Sequence, residues 1–156
     1  MVQHADIDHT GLTGVGGSAE FDYVQITSPA SVTSPASSDA TATAVITGSA
    51  VAYDGSTRVK IEYVCPFLEA PAALNASLVV NLYDGSTDLG RLGLVTTPAA
   101  QQFRAPGKGE RFLTPSAATH TYSIRAWVTS GTGTFGAGAG GTGGAYLPAF
   151  IRITRA

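Results

Sequence analysis

The sequence predicts an all-β fold, an antiparallel sandwich or jelly roll, on three observations. Several short segments alternate apolar and polar residues with period two, no segment holds ten residues of helical periodicity, and Gly and Pro punctuate the chain at short intervals. With 156 residues the chain is long enough for one domain and too short for two comfortable ones.

The elements follow in order. Residues 1–19 carry Gly11, Gly14, Gly16 and Gly17 and only four scattered apolar side chains beyond Met1 and Ala, so they read as an extended arm preceding a head at residues 20–156. Glu20–Ile26 alternates as a strand, with Phe21 and Tyr23 on one side and Asp22, Val24 and Ile26 on the other. Thr27-Ser28-Pro29-Ala30-Ser31 is echoed by Thr33-Ser34-Pro35-Ala36-Ser37, and its prolines assign it to loops or a sheet edge. Thr41–Tyr53 and Arg58–Val64 flank Asp54-Gly55 and are expected to pair as a hairpin, with Val59, Ile61 and Tyr63 inward. Pro66–Ala76 is expected to be a loop. Ser77–Tyr83, the Asp84-Gly85 turn and a return strand with Leu89, Leu92 and Leu94 form a second hairpin. Gln101–Leu113 reads as short strands about a Pro106-Gly107 turn. In His120–Thr129, Tyr122, Ile124, Ala126 and Val128 share one face and Arg125 and Trp127 the other. Eight glycines between Gly131 and Gly144 read as a long flexible loop. The last segment, Tyr146–Thr154, places Leu147, Ala149, Ile151 and Ile153 on one face and is apolar enough to be a central strand.

Composition excludes several classes. Lys and Arg number 9 against 11 acids, for a formal charge of -2, which argues against a basic nucleic-acid binder. Residues 1–57 hold six acids and no Lys or Arg, and no acid follows Glu110, an asymmetry able to steer one segment onto another surface. The single Cys65 precludes an intramolecular disulfide and a thiolate zinc cage, and no apolar run is long enough to span a membrane. The first residues lack the features of a secretory signal, so synthesis and folding are expected in a cytoplasm.

Candidate sites are few. His4, Asp6, Asp8 and His9 are metal-ligand types, but on an extended arm they diverge, so they read as polar contacts to a partner surface. Gly131-Thr132-Gly133-Thr134-Phe135-Gly136 fits G-x-G-x-x-G without the helix that would bind a phosphate. Ser and Thr are abundant but no G-x-S-x-G elbow occurs, and Cys65, at the end of an inward-alternating strand, reads as a buried inert thiol. Glu62 with Glu69, or Asp84 with Asp88, is a formal carboxylate pair, yet a strand face explains Glu62 and a turn explains Asp84. No catalytic activity, metal or cofactor is expected. Trp127, a large aromatic opposite the core residues of its strand, marks a trimer or partner interface or else a second covering layer; Tyr146 and Phe150 join it as interface candidates.

The segment His4-Ala5-Asp6-Ile7-Asp8-His9-Thr10-Gly11-Leu12-Thr13-Gly14-Val15-Gly16-Gly17 resembles the short leader of many tailed-bacteriophage structural proteins. His120-Thr121-Tyr122-Ser123-Ile124, the Gly-rich stretch and Pro148-Ala149-Phe150-Ile151-Arg152-Ile153 resemble phage jelly rolls of the tumour-necrosis-factor and complement-globular-head type. Together they cover about half the chain. The resemblance implies a homotrimer with a ten-stranded jelly-roll head and carries over no catalytic residue. Two roles follow. One is a capsid decoration (minor capsid) protein on the outer virion surface, bound to the major capsid protein or another shell protein by its arm through His4, Asp6, Ile7, Asp8, His9, Leu12 and Val15. The other is a tail or head-fibre module that binds a host cell-surface receptor. The short distance from Met1 to the first strand leaves no fibre shaft and favours decoration. Neither role involves nucleic acid or membrane.

Overall fold

A computed structural model describes residues 19–33 and 38–156. Its strands, in chain order, are β1 (Glu20–Ile26), β2 (Ala30–Thr33), β3 (Thr43–Thr47), β4 (Val51–Ala52), β5 (Val59–Ala70), β6 (Ser77–Asp84), β7 (Thr87–Thr96), β8 (Phe103–Leu113), β9 (Thr119–His120), β10 (Tyr122–Val128), β11 (Thr132–Phe135) and β12 (Ala149–Arg155). One 3₁₀ turn, Asp39–Thr41, precedes β3, and the described residues contain no α-helix.

The strands form two antiparallel sheets packed face to face, with a two-stranded β4–β9 ribbon at one end. One sheet runs β3-β10-β6-β7. The other is organised by the long strand β5, which pairs along one side with β8 and along the other with β12 and then β11; β1 and β2 complete it beyond β12 and β11. Alternation fills the space between the sheets. Val59, Ile61 and Tyr63 of β5, Tyr122, Ile124, Ala126 and Val128 of β10, and Ala149, Ile151 and Ile153 of β12 are all buried in one cluster. Burying the Val and Ile side chains among them stabilises the fold by about 1.5–3 kcal/mol each before entropy is counted. The expected central placement of β12, between β1 and β5, is met.

Six local expectations need correction. The strands flanking Asp54-Gly55 do not pair: β3 joins β10, β4 joins β9 and β5 lies in the opposite sheet. The turn itself forms, with Gly55 at φ 78° and the Asp54 carboxylate accepting from the N–H groups of Ser56 and Thr57 at 2.8 and 2.7 Å. It links sheets rather than strands. Pro66–Ala70 continues β5 instead of starting a loop, and Phe103–Leu113 is one strand rather than two. A bulge explains both. Cys65 pairs with Gly107 and Leu68 with Ala105, so Pro66 and Pro106 sit where the ladder skips and no proline N–H is required. Within the Gly-rich stretch, Thr132–Phe135 is a strand. A Cβ on Gly133 would lie 2.8 Å from the Glu69 carbonyl oxygen, and one on Gly136 would lie 2.6 Å from that of Phe67. These two glycines permit close packing. Leu147 lies outside β12 and is 68% exposed. Phe21 packs on the same core as Val24, because the ladder shifts register between Glu20 and Asp22.

Candidate functional site

The residues of the expected anchoring arm, His4, Asp6, Ile7, Asp8, His9, Leu12 and Val15, lie outside the described residues. The three interface candidates fall in two different places.

Trp127 is on the outer face of the β3-β10-β6-β7 sheet, as alternation required, but its own chain covers it. It is 8% exposed and packs with Ala42, Val79 and Tyr83. Its indole N–H donates to Asp39 Oδ1 at 2.8 Å, and the Arg91 guanidinium stands 5.4 Å from its ring centroid. Asp39 also accepts from Asn81 at 2.9 Å and, through both oxygens, from Arg91 at 3.1 and 2.8 Å. The Arg91 hydrogen bonds, joined by those from Asn81 and Trp127, hold the Asp39 carboxyl well below the usual carboxylate range despite the opposing effect of burial. The second covering layer considered for Trp127 is therefore this 3₁₀ turn, and little of the ring is left for a partner.

Tyr146 and Phe150 come together on the outer face of the six-stranded sheet. Directly paired residues of an antiparallel ladder share a face, so β1, β12, β5 and β8 present Tyr23, Phe150, Arg152, Glu62, Val64, Lys60 and Phe112 on this side. Tyr23 and Phe150 have ring centroids 5.3 Å apart. Tyr23, Phe112, Tyr146 and Leu147 are between 43% and 68% exposed. A groove of about 310 Å³ is lined by Val64, Pro66, Ala145, Tyr146, Leu147, Pro148 and Phe150. Charge at the centre of the face is already neutralised. Glu62, 4% exposed, accepts from Arg152 Nε at 2.7 Å and from Lys60 at 3.1 Å, and these bonds outweigh its burial and lower its pKa. Beyond the groove, Glu69 pairs with Arg104, whose guanidinium lies 4.7 Å from the Phe67 ring centroid.

A third constellation was not foreseen. At the β4–β9 end, His120 Nδ1 lies 2.5 Å from Asp84 Oδ2, and His120 Nε2 lies 3.0 Å from Ser116 Oγ and 3.2 Å from the Ser116 carbonyl oxygen. Tyr122 stacks on the imidazole at 9° with centroids 5.9 Å apart, and Tyr53 meets it edge-on at 5.8 Å. Burial pushes the Tyr53 phenol up to about 12. Asp84 ends β6, Ser116 lies in the loop after β8 and His120 ends β9, so topology brings Asp84 to the other two. The i, i+4 spacing of Ser116 and His120 was the sole sequence signal. Cys65 is buried as expected, and burial raises its thiol pKa to about 12. Among the described residues no group of three or more His, Cys, Asp or Glu side chains is placed to hold a metal, and no helix is long and apolar enough to cross a membrane.

No protein-family model matches the chain, and no curated protein matches it.

Proposed function

We propose that the chain is a structural protein of a tailed-bacteriophage virion, a trimeric decoration protein on the outer capsid surface. Residues 20–156 form its jelly-roll head, and residues 1–19 anchor it to the major capsid protein or another shell protein.

The observation that carries this reading is the open aromatic face of the six-stranded sheet among the described residues. The outer aromatics of the four-stranded sheet are covered by the Asp39 turn, Arg91 and Arg125, whereas Tyr23, Phe112, Tyr146, Leu147 and the groove beside Phe150 remain uncovered on the six-stranded sheet. An aromatic surface whose central charges are already paired has the make-up of an interface between copies. Strand order supports the jelly roll. Among the eight strands β1, β3, β5, β6, β7, β8, β10 and β12, one sheet reads first, eighth, third, sixth, and the other second, seventh, fourth, fifth. That is the order two interlocked Greek keys produce. The virion assignment rests on the resemblance of residues 4–17 and 120–153 to phage structural proteins.

The test combines sedimentation with particle binding. The full chain should sediment as a trimer at micromolar concentration and decorate purified capsids. A chain lacking residues 1–18 should remain a folded trimer that no longer binds them. A stable monomer removes the trimer, and full decoration by the shortened chain removes the anchoring role.

A further inference from the structure

We propose that His120 is a proton-operated latch: as the imidazolium it ties the loop after β8 and the β4–β9 ribbon to the end of β6, and loss of its proton releases residues 114–121. The inference is independent of the virion reading, since it uses neither the arm nor the open aromatic face.

Both ring nitrogens face acceptors. Nδ1 lies 2.5 Å from the Asp84 carboxylate and Nε2 lies 3.2 Å from the Ser116 carbonyl oxygen, and neither oxygen has a proton to give. A neutral ring carries one N–H, so it points a lone pair at one of the two. The charged ring carries two and satisfies both, with the Ser116 hydroxyl, 3.0 Å from Nε2, as a further acceptor. The surrounding groups suit a cation. Asp84 forms no other ion pair among the described residues, and the His120 and Asp84 side chains are 15% and 25% exposed, so water screens the pair only in part. From β10 the Tyr122 ring stacks on the imidazole, and just past β4 the Tyr53 ring meets it edge-on. Burial, with the Asp84 charge and for Tyr53 that of Asp22, keeps both phenols neutral. The Asp54-Gly55 turn packs on Ala117, and its carboxylate is directed to the N–H groups of Ser56 and Thr57. Arg125 of β10 donates to the Gly85 carbonyl oxygen at 2.7 Å.

The latched segment is short and exposed, and Ser116–His120–Asp84 is the side-chain link between it and β6. Its backbone bonds are few: Ala118 N–H donates to Ser116 O at 2.8 Å, Tyr53 N–H to Ala118 O at 3.0 Å, and Gly85 N–H to Thr121 O at 2.9 Å. Tyr53, against which the imidazole packs, gains from opening. It is 8% exposed, and its hydroxyl is buried with no hydrogen-bond partner among the described residues, a cost that water removes once the segment lifts. The closed arrangement thus carries an unpaired hydroxyl and is held by the charged ring. Removing the proton tips the balance toward the open one. The sign follows from which state prefers the proton. A closed segment that favours the imidazolium is stabilised fully below the range in which a free imidazole titrates, about pH 6.5, and less at each higher pH.

The experiment follows the full chain at about pH 5.5 and about pH 8.5, either side of the range in which imidazoles change charge. Ring-nitrogen NMR reads the protonation of His120, and hydrogen exchange with peptide mass spectrometry, corrected for intrinsic rates, reads residues 114–121. The expected result is a doubly protonated ring at the lower pH. Protection of residues 114–121 should fall by about fivefold or more at the higher pH, the difference between a charge-assisted hydrogen bond and a neutral one, while β6 and β10 stay protected. His120→Gln, neutral at both pH values, and Asp84→Asn should each show low protection of the segment throughout. A singly protonated ring at the lower pH overturns the proposal. So does protection that is equal at the two pH values, or a pH response that persists in His120→Gln. If that variant fails to fold, Asp84→Asn and the wild-type ring spectrum decide.

Discussion

The Asp39 carboxylate serves the Trp127 indole, the Asn81 amide and the Arg91 guanidinium at once. Trp127 and Asn81 are buried, at 8% and 0% exposed, so losing Asp39 orphans the Trp127 indole N–H, while the Asn81 amide keeps Asp88 at 3.1 Å. Asp39→Ala should cost about 1–3 kcal/mol on that count, with half-exposed Arg91 adding little. Urea unfolding followed by Trp127 fluorescence measures it. A cost near zero would mean that water replaces the carboxylate. Titration supplies a second test. Asp39 is held below its usual range by Arg91, and Glu62 by Arg152 and Lys60 against the opposing effect of burial. Folded values below the unfolded ones, roughly 3.9 and 4.3, mean a stabilisation fully present above the unfolded pKa and lost as pH falls toward the folded values. The urea midpoint should therefore change little between about pH 7 and pH 5 through these two groups and drop below about pH 4. The double variant Asp39→Asn/Glu62→Gln should show a shallower drop, and a parallel one would assign the acid sensitivity to other carboxylates. At this scale the sequence was informative about direction and silent about company. Alternation put Trp127 off the core face, but its partner Asp39 is 88 residues away, and His120 meets Asp84 across 36.

Two Asp-Gly turns with the same five-residue sequence, Tyr-Asp-Gly-Ser-Thr, show why elements are harder to read than faces. Asp84-Gly85 joins β6 to its neighbour β7, whereas Asp54-Gly55 carries the chain from the β4–β9 ribbon into the opposite sheet. Turn chemistry fixes the local bend alone; the partner of the next strand is chosen by which apolar faces remain open. The Gly-rich stretch gives a contrast that can be measured within one segment. Gly136→Ala drives a Cβ to 2.6 Å from the Phe67 carbonyl oxygen, and Gly143→Ala meets nothing within 4 Å at a φ outside the left-handed region. The first should destabilise the protein by about 1–3 kcal/mol, as overpacking does. The second should be neutral or stabilise by up to about 1 kcal/mol through the unfolded chain. Thermal unfolding of the two variants separates them, and equal behaviour would show that β11 yields as freely as a loop. Composition alone made the stretch look uniformly flexible, since a glycine needed for close approach and one needed for nothing are the same letter.

For the whole molecule, period-two alternation was sufficient to reveal an all-β sandwich with a central last strand, because both inner faces are filled by the residues it selects. It was insufficient for strand order, which depends on pairings such as β1 with β12 across nearly the full described chain. The open face of the six-stranded sheet gives the prediction at this scale. Phe150→Glu places a charge beside Tyr23 and the groove without touching the core, so sedimentation should shift from the proposed trimer to monomer while circular dichroism is retained. A trimer that survives this change would move the contact elsewhere. The β1–β12 pairing also reaches beyond the folded state. Because β12 lies between β1 and β5, a nascent chain on the ribosome holds two strands that cannot find their shared neighbour until residues 149–155 emerge. Closure then spans the longest loop among the described strand pairings, placing folding among the slow β topologies, on the order of milliseconds to seconds. Until that moment the inner edges of β1 and β5 stay unsatisfied. Synthesis rate and chaperone occupancy therefore bear on the yield of this protein.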